Sequence, residues 1–156
     1  MEHDSFMQAA IGLANDGLKA GRGGPFGCVV VRRGEIVGRG NNRVTSANDP
    51  TAHAEVTAIR DACAKLKTFQ LTDCEIYTSC EPCPMCLSAI YWARIPAIYY
   101  ANTRQDAAAI GFDDEFIYQQ VALPPEKRTI PMKPLLRDEA LGTFRAWAAL
   151  ENKVKY

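Results

Sequence analysis

Four residues combine types and spacing that suit hydrolytic metal chemistry: His53, Glu55, Cys83 and Cys86, carried by the segments TAHAE and EPCPMC. Cys83 and Cys86 lie three apart with Pro84 between them, at what reads as the first turn of a helix, so the two thiols share a face. Cys83 then caps that helix, where backbone amides and the positive end of the helix dipole favour the thiolate, the form that binds metal. His53 occupies a similar place at the start of the preceding helix. Three nitrogen or sulfur ligands leave the fourth position of a tetrahedral metal for water, which the metal would acidify towards neutral pH. A carboxylate close by can collect that proton and return it to a leaving group, and Glu55 is the candidate. Residues two apart in an ideal helix point to nearly opposite faces. His53 and Glu55 can therefore converge only if both sit in the first turn, beside the site.

The plainer alternative is a closed structural site in which Cys80 joins Cys83, Cys86 and His53 as a fourth ligand. Cys80 precedes Glu81-Pro82 at the end of a strand rather than in the helix, and a closed site would leave Glu55 without a role. Cys28, Cys63 and Cys74 read as core thiols, and His3, in an N-terminal segment expected to fray, is assigned nothing. The stretch GRGGPFG matches neither a P-loop nor a dinucleotide-binding glycine pattern, so it reads as a tight turn. On pattern alone Phe26 is a core residue and Asn42 a turn former.

Elements of alternating type must position these residues. Phe6, Ala10, Leu13, Ala14 and Leu18 recur at helical spacing over Asp4 to Lys19, with Asp4 as a plausible cap. Cys28 to Val31 and Ile36 to Arg39 read as a hairpin about Arg32–Glu35. Asp49-Pro50 signals a helix running to about Leu66, Glu75 to Thr78 a strand, Cys83-Pro84 the start of a buried helix to Ala93, and Ala97 to Tyr100 a fourth strand. The order α-β-β-α-β-α-β describes a mixed α/β sheet covered on its faces. Beyond Ala101 come short helical stretches around Asp106 to Ala109 and Asp113 to Val121. The breaker-rich arm LPPEKRTIPMKP follows. A final helix carries Leu136, Ala140, Phe144 and Trp147 on one face that must be buried.

The chain has 156 residues, 47% of them apolar and 23% charged, the balance of one ordinary globular domain. Lys plus Arg and Asp plus Glu both number 18, so no footprint for a polyanion is present, and a nucleic-acid partner is not expected. No apolar run reaches membrane-spanning length, and the N-terminus has acidic residues where a signal peptide needs basic ones. A cytoplasmic location is expected, and a reducing compartment would keep the cysteines as thiols or metal ligands.

The H-x-E and P-C-x-x-C pair matches the signature of zinc-dependent base deaminases. Together with GGPFG, NDPTAHAEVTAIR, YTSCEPCPMCL, AIYWAR, GFDDEFIY and RTIP, it makes nearly the whole chain resemble the guanine deaminases of the cytidine deaminase superfamily. GFDD, RTIP and the terminal tyrosine carry the likeness to the guanine branch. The resemblance implies a three-layer α-β-α fold with a central mixed five-stranded sheet, one strand more than the pattern supplies. It implies one zinc per chain on His53, Cys83 and Cys86, with Glu55 as catalytic proton carrier. The reaction would be hydrolysis of guanine to xanthine and ammonia, in purine catabolism or salvage. Asn42 and the backbone at Ala54 would bond the purine, Phe26 and Trp92 would shape its pocket, and Asp114 and Tyr156 would discriminate guanine. Asp114 ranks above its neighbour Asp113 on family position alone. The resemblance further implies a homodimer whose C-terminal segments, about residues 123–156, are exchanged.

Two other readings compete. A tRNA adenosine deaminase, the nearest of the other nucleobase or nucleoside deaminases, shares HAE and PCxMC but needs a basic surface for RNA phosphates, which zero net charge does not supply. A zinc-stabilised binding module without catalysis leaves the open metal position and Glu55 unexplained.

Overall fold

The computed structural model describes residues 2–156, with side chains from His3 onward. Four strands form one mixed sheet in the order β2-β1-β3-β4. Strands β1 (Gly27–Arg32) and β2 (Glu35–Asn41) make the expected hairpin, its turn formed by Arg33 and Gly34, both with positive φ, as a two-residue hairpin turn requires. β3 (Cys74–Cys80) pairs antiparallel with β1, and β4 (Ala97–Asn102) lies parallel to β3. The fifth strand implied by the family resemblance is not among the described residues. It would have had to come from the region after Ala101 or from around Ile130, and no strand follows the end of β4 at Asn102.

Both faces of the sheet are covered, which is why β1 reads as an unbroken apolar run rather than an alternating one. Cys28, Val30 and Ile76 face α3 (Ala54–Leu66) and α4 (Pro84–Trp92), where Ala54, Ala58, Ala62 and Ile90 complete a buried cluster. Val29, Val31 and Tyr77 face α1 (Glu2–Lys19), against Phe6, Met7, Ala10 and Leu13. The result is three layers. Gly40 lets β2 approach α3 closely: a methyl group there would stand 2.2 Å from the Ala54 carbonyl oxygen and 2.6 Å from the Ala58 nitrogen.

Several boundaries differ from the sequence reading. The first helix extends through Glu2, and His3 is held rather than frayed, its Nδ1 2.6 Å from the Tyr77 hydroxyl. A one-turn helix α2 (Val44–Ala47) precedes a loop, and α3 starts at Ala54 rather than at Asp49-Pro50. Asp49 caps a turn instead, its carboxylate accepting from the Thr51 amide at 2.8 Å and the Thr51 hydroxyl at 2.7 Å. The short polar side chain satisfies its own loop, so Asp49-Pro50 signals a turn and not a helix start.

By its contacts the chain divides into two compact units. The first ends at Asp114 and holds the sheet, α1–α4 and α5 (Arg104–Ala109), the last closed at its N-terminus by a capping box between Thr103 and Asp106. The second, Glu115–Tyr156, holds α6 (Glu115–Ala122), a 3-10 turn (Pro125–Lys127) and α7 (Arg137–Ala148). Leu136, Ala140, Phe144 and Trp147, expected to be buried, are all exposed in the single chain. Twelve residues with one apolar stripe have no opposing layer of their own to bury it. Among the described residues no helix is long and apolar enough to cross a membrane.

Candidate functional site

Two helix starts meet on one face of the sheet, and each presents a candidate metal ligand from the cap position. His53 caps α3 with φ −68° and ψ 158°, and Cys83 caps α4 with φ −66° and ψ 168°, followed by Pro84 as the first helical residue. This answers the difficulty of bringing His53 and Glu55 together. His53 stands outside the helix in extended geometry, so the near-opposite projection of residues two apart in a helix does not apply to the pair.

The His53 ring nitrogen Nδ1 lies 3.6 Å from Cys83 Sγ and 3.5 Å from Cys86 Sγ. All three ligand atoms fall within 4.8 Å of one another, and among the described residues no other such group of His, Cys, Asp or Glu occurs. A tetrahedral zinc with Zn–S of about 2.3 Å and Zn–N of about 2.0–2.1 Å separates its nitrogen and sulfur ligands by about 3.5–3.6 Å. The site's spacing is therefore that of a zinc tetrahedron. Cys80, the fourth ligand of the closed alternative, is outside the group: its thiol contacts the Thr103 carbonyl at 3.7 Å.

Charge in the cluster is already distributed for metal uptake. The Cys83 thiol is pushed down to about 4, first by a hydrogen bond from the Cys86 thiol and then by His53. Cys86 is held up by the same shared proton and by burial, and His53 is raised chiefly by its hydrogen bond with Cys83. The cluster thus favours ionisation at Cys83, and a dication would displace the protons that remain. Cys80, by contrast, is pushed up to about 11 by burial, with Glu55 and Asp114 adding to the effect. It packs as an inert thiol.

Glu55, in the first turn of α3, is buried at 6% exposure, and burial is the largest cause raising its carboxyl above the usual range. A carboxyl moved towards neutrality beside a metal cluster is suited to proton transfer. Thr78 on β3 places its hydroxyl 3.3 Å from Glu55 Oε1 and 3.0 Å from the Cys80 carbonyl. Sequence reasoning passed over Thr78, because a threonine between Tyr77 and Ser79 reads only as a strand former.

The other expected residues fall into two sets. Asn42, buried just past the end of β2, accepts from the Gly24 and Val44 amides with Oδ1, both at 3.1 Å. Its carbonyl is occupied, so the amide NH₂ is the end left to meet a ligand. The glycine-rich turn permits this: a methyl group on Gly23 would lie 2.3 Å from Asn42 Oδ1. Phe26 packs against the core and meets Phe112 edge-on with centroids 5.0 Å apart. Ala54 is buried in the first turn of α3, where no carbonyl four residues back can take its amide. Asp114 is half-buried and raised by that burial and then by the charge of Cys83, which ties it electrically to the cluster, whereas Asp113 is exposed. Trp92 ends α4, exposed, about 9 Å along the helix axis from Cys86. Tyr156 is exposed within the second unit.

The chain matches the cytidine and deoxycytidylate deaminase zinc-binding region over residues 1–102. It is 55% identical to a guanine deaminase of Bacillus subtilis over 156 residues, all of both chains. The crystal structure of that enzyme superposes with a TM-score of 0.96, covering 100% of this chain and 99% of the other. NE0047 in complex with 2,6-diaminopurine is 34% identical with a TM-score of 0.69, covering 99% of this chain and 85% of that one. A tRNA-specific adenosine deaminase of Aquifex aeolicus is 38% identical over 101 residues, 65% of this chain and 66% of that protein.

Proposed function

The chain belongs to the cytidine and deoxycytidylate deaminase zinc-binding family, and from that premise we propose that it hydrolyses guanine to xanthine and ammonia. The observation that carries the reading is full-length likeness to a guanine deaminase, which includes the C-terminal residues. The match to the tRNA-specific enzyme covers 65% of the chain.

His53, Cys83 and Cys86 hold one zinc per chain. When bound, the metal supplies a Lewis acid that makes water a nucleophile near neutral pH. Guanine lies with its carbonyl edge towards the Asn42 amide and the free Ala54 N–H, and Phe26 covers the ring. Asp114 accepts from the N–H donors of guanine, which a base lacking them would leave unpaired. The hydroxyl of water is added at C2. Glu55 takes the first water proton and delivers it to a ring nitrogen, then carries the hydroxyl proton to the amine, which leaves as ammonia as the C2 carbonyl of xanthine forms. Burial of Glu55 keeps bulk water from competing for those protons.

The protein works as a cytoplasmic homodimer in which each single-domain chain lends its arm and last helix, about residues 123–156, to the other. The exposed stripe of Leu136, Phe144 and Trp147 supports this, as does the exposed Tyr156, which would complete the partner's pocket, while Trp92 with Phe26 would shape the purine pocket. Incubation of zinc-loaded protein with guanine, adenine, cytidine and an adenosine-bearing tRNA tests the substrate. Xanthine and ammonia form from guanine. Efficient tRNA deamination without xanthine would overturn the reading.

A further inference from the structure

We infer that Thr78 is a positioning residue for the reaction: its hydroxyl anchors Glu55 Oε1 and leaves the other carboxylate oxygen to carry protons. This rests on the reading of Glu55 as the proton carrier. Glu55 is buried and Thr78 is 1% exposed, so water does not replace a missing partner cheaply. The Thr78 hydroxyl lies 3.3 Å from Oε1, at the long end for an O–H···O bond, and approaches the carboxylate from the strand beneath it.

The hydroxyl has one proton and two acceptors within reach, Glu55 Oε1 and the Cys80 carbonyl. Standing between the two, the hydroxyl ties the Glu55 carboxylate to the backbone of β3. Thr78 is also well placed to hold a fixed direction. Its strand is flanked on both sides, with Thr78 opposite Cys28 on β1 and Tyr100 on β4. The neighbouring Ser79 hydroxyl accepts from the Gly27 amide at 3.0 Å. It is committed to joining the strands and is no substitute.

The test compares Thr78→Val, which keeps the shape and removes the hydroxyl, with Thr78→Ser, which keeps the hydroxyl, and with Glu55→Gln. Each is measured for kcat and KM on guanine, metal content and the position of Glu55 in a crystal structure. Thr78→Val should keep its metal and hold KM within about threefold while kcat falls about 10- to 100-fold, the loss expected for one hydrogen bond to a charged group. Its Glu55 carboxylate should leave the Oε1 position or occupy more than one. Thr78→Ser should stay within about threefold of the parent in kcat. A metal-loaded Thr78→Val enzyme with parental kcat overturns the inference, and so does a Thr78→Ser enzyme as impaired as the valine variant, since the methyl group would then be what matters. Should the valine variant fail to fold, Thr78→Ala is held to the same outcomes. Glu55→Gln separates the two ideas: near-normal turnover there sinks the proton-carrier reading, whereas an inactive glutamine variant beside a fully active valine variant sinks only the role of Thr78.

Discussion

The residues up to Asp114 and those from Glu115 onward solve the burial problem differently. In the first region, strands and helices bury Cys28, Val29, Val30, Ile76 and Tyr77 completely, and the candidate metal ligands His53, Cys83 and Cys86 sit against that packed sheet. In the second, no residue is buried, and Phe116, Val121, Leu136, Phe144 and Leu150 are exposed. A packed scaffold can hold ligand atoms to the tenths of an ångström that a metal requires. An amphipathic segment without an opposing layer gains its order from another surface, and on the proposed reading that surface is a second copy of the chain. On the proposed reading the first region carries the metal ligands, Glu55 and most of the base contacts, Asp114 included, and the second adds Tyr156.

The largest effect should come from Cys86→Ala, which removes a ligand from the packed region. Metal analysis should find zinc lost and guanine turnover abolished, while Cys80→Ala keeps both. Zinc lost from Cys80→Ala would restore the closed site and blur the contrast. Next, deleting Glu151 to Tyr156 should leave zinc content intact and lower kcat/KM on guanine about 100-fold, on the scale of a lost specificity contact. Loss of metal along with activity would show that the tail serves the scaffold instead.

A mixed dimer then tests exchange, one subunit carrying Glu55→Gln and the other lacking residues 151–156. With exchange, one pocket has both an intact Glu55 and the other chain's intact tail, so about half of normal activity survives. An inactive mixed dimer would refute it. The smallest effects contrast two glycines. Gly40→Ala forces a methyl group into the Ala54 carbonyl and should lower stability by about 1–3 kcal/mol, read as a fall in Tm. Gly142 in α7 has nothing within 4 Å, so Gly142→Ala should raise helix stability by about 0.5–1 kcal/mol. Equal losses at both positions would mean that the second region is as tightly packed as the first.

Much of this was legible in residue order alone. Metal ligands and cap positions are local: the CxxC spacing and Pro84 specify two thiols on one helix start without reference to anything distant, and the apolar run Cys28–Val31 specifies a strand covered on both faces. His53-x-Glu55 beside Cys83-x-x-Cys86 named the chemistry because those residue types have few other reasons to occur in that pattern. The boundaries that went astray, Asp49-Pro50 above all, were positions where a side chain could satisfy either a helix start or its own turn, and neighbours decided between them.

What residue order left open was distance and neighbourhood. Only folding brought His53 Nδ1 to 3.5 Å from Cys86 Sγ across 33 residues of chain, left Cys80 outside the cluster, separated half-buried Asp114 from exposed Asp113, and set the Thr78 hydroxyl beside Glu55. Types and local spacing are properties of the chain; burial and through-space contact arise only when the sheet and its two layers close around them.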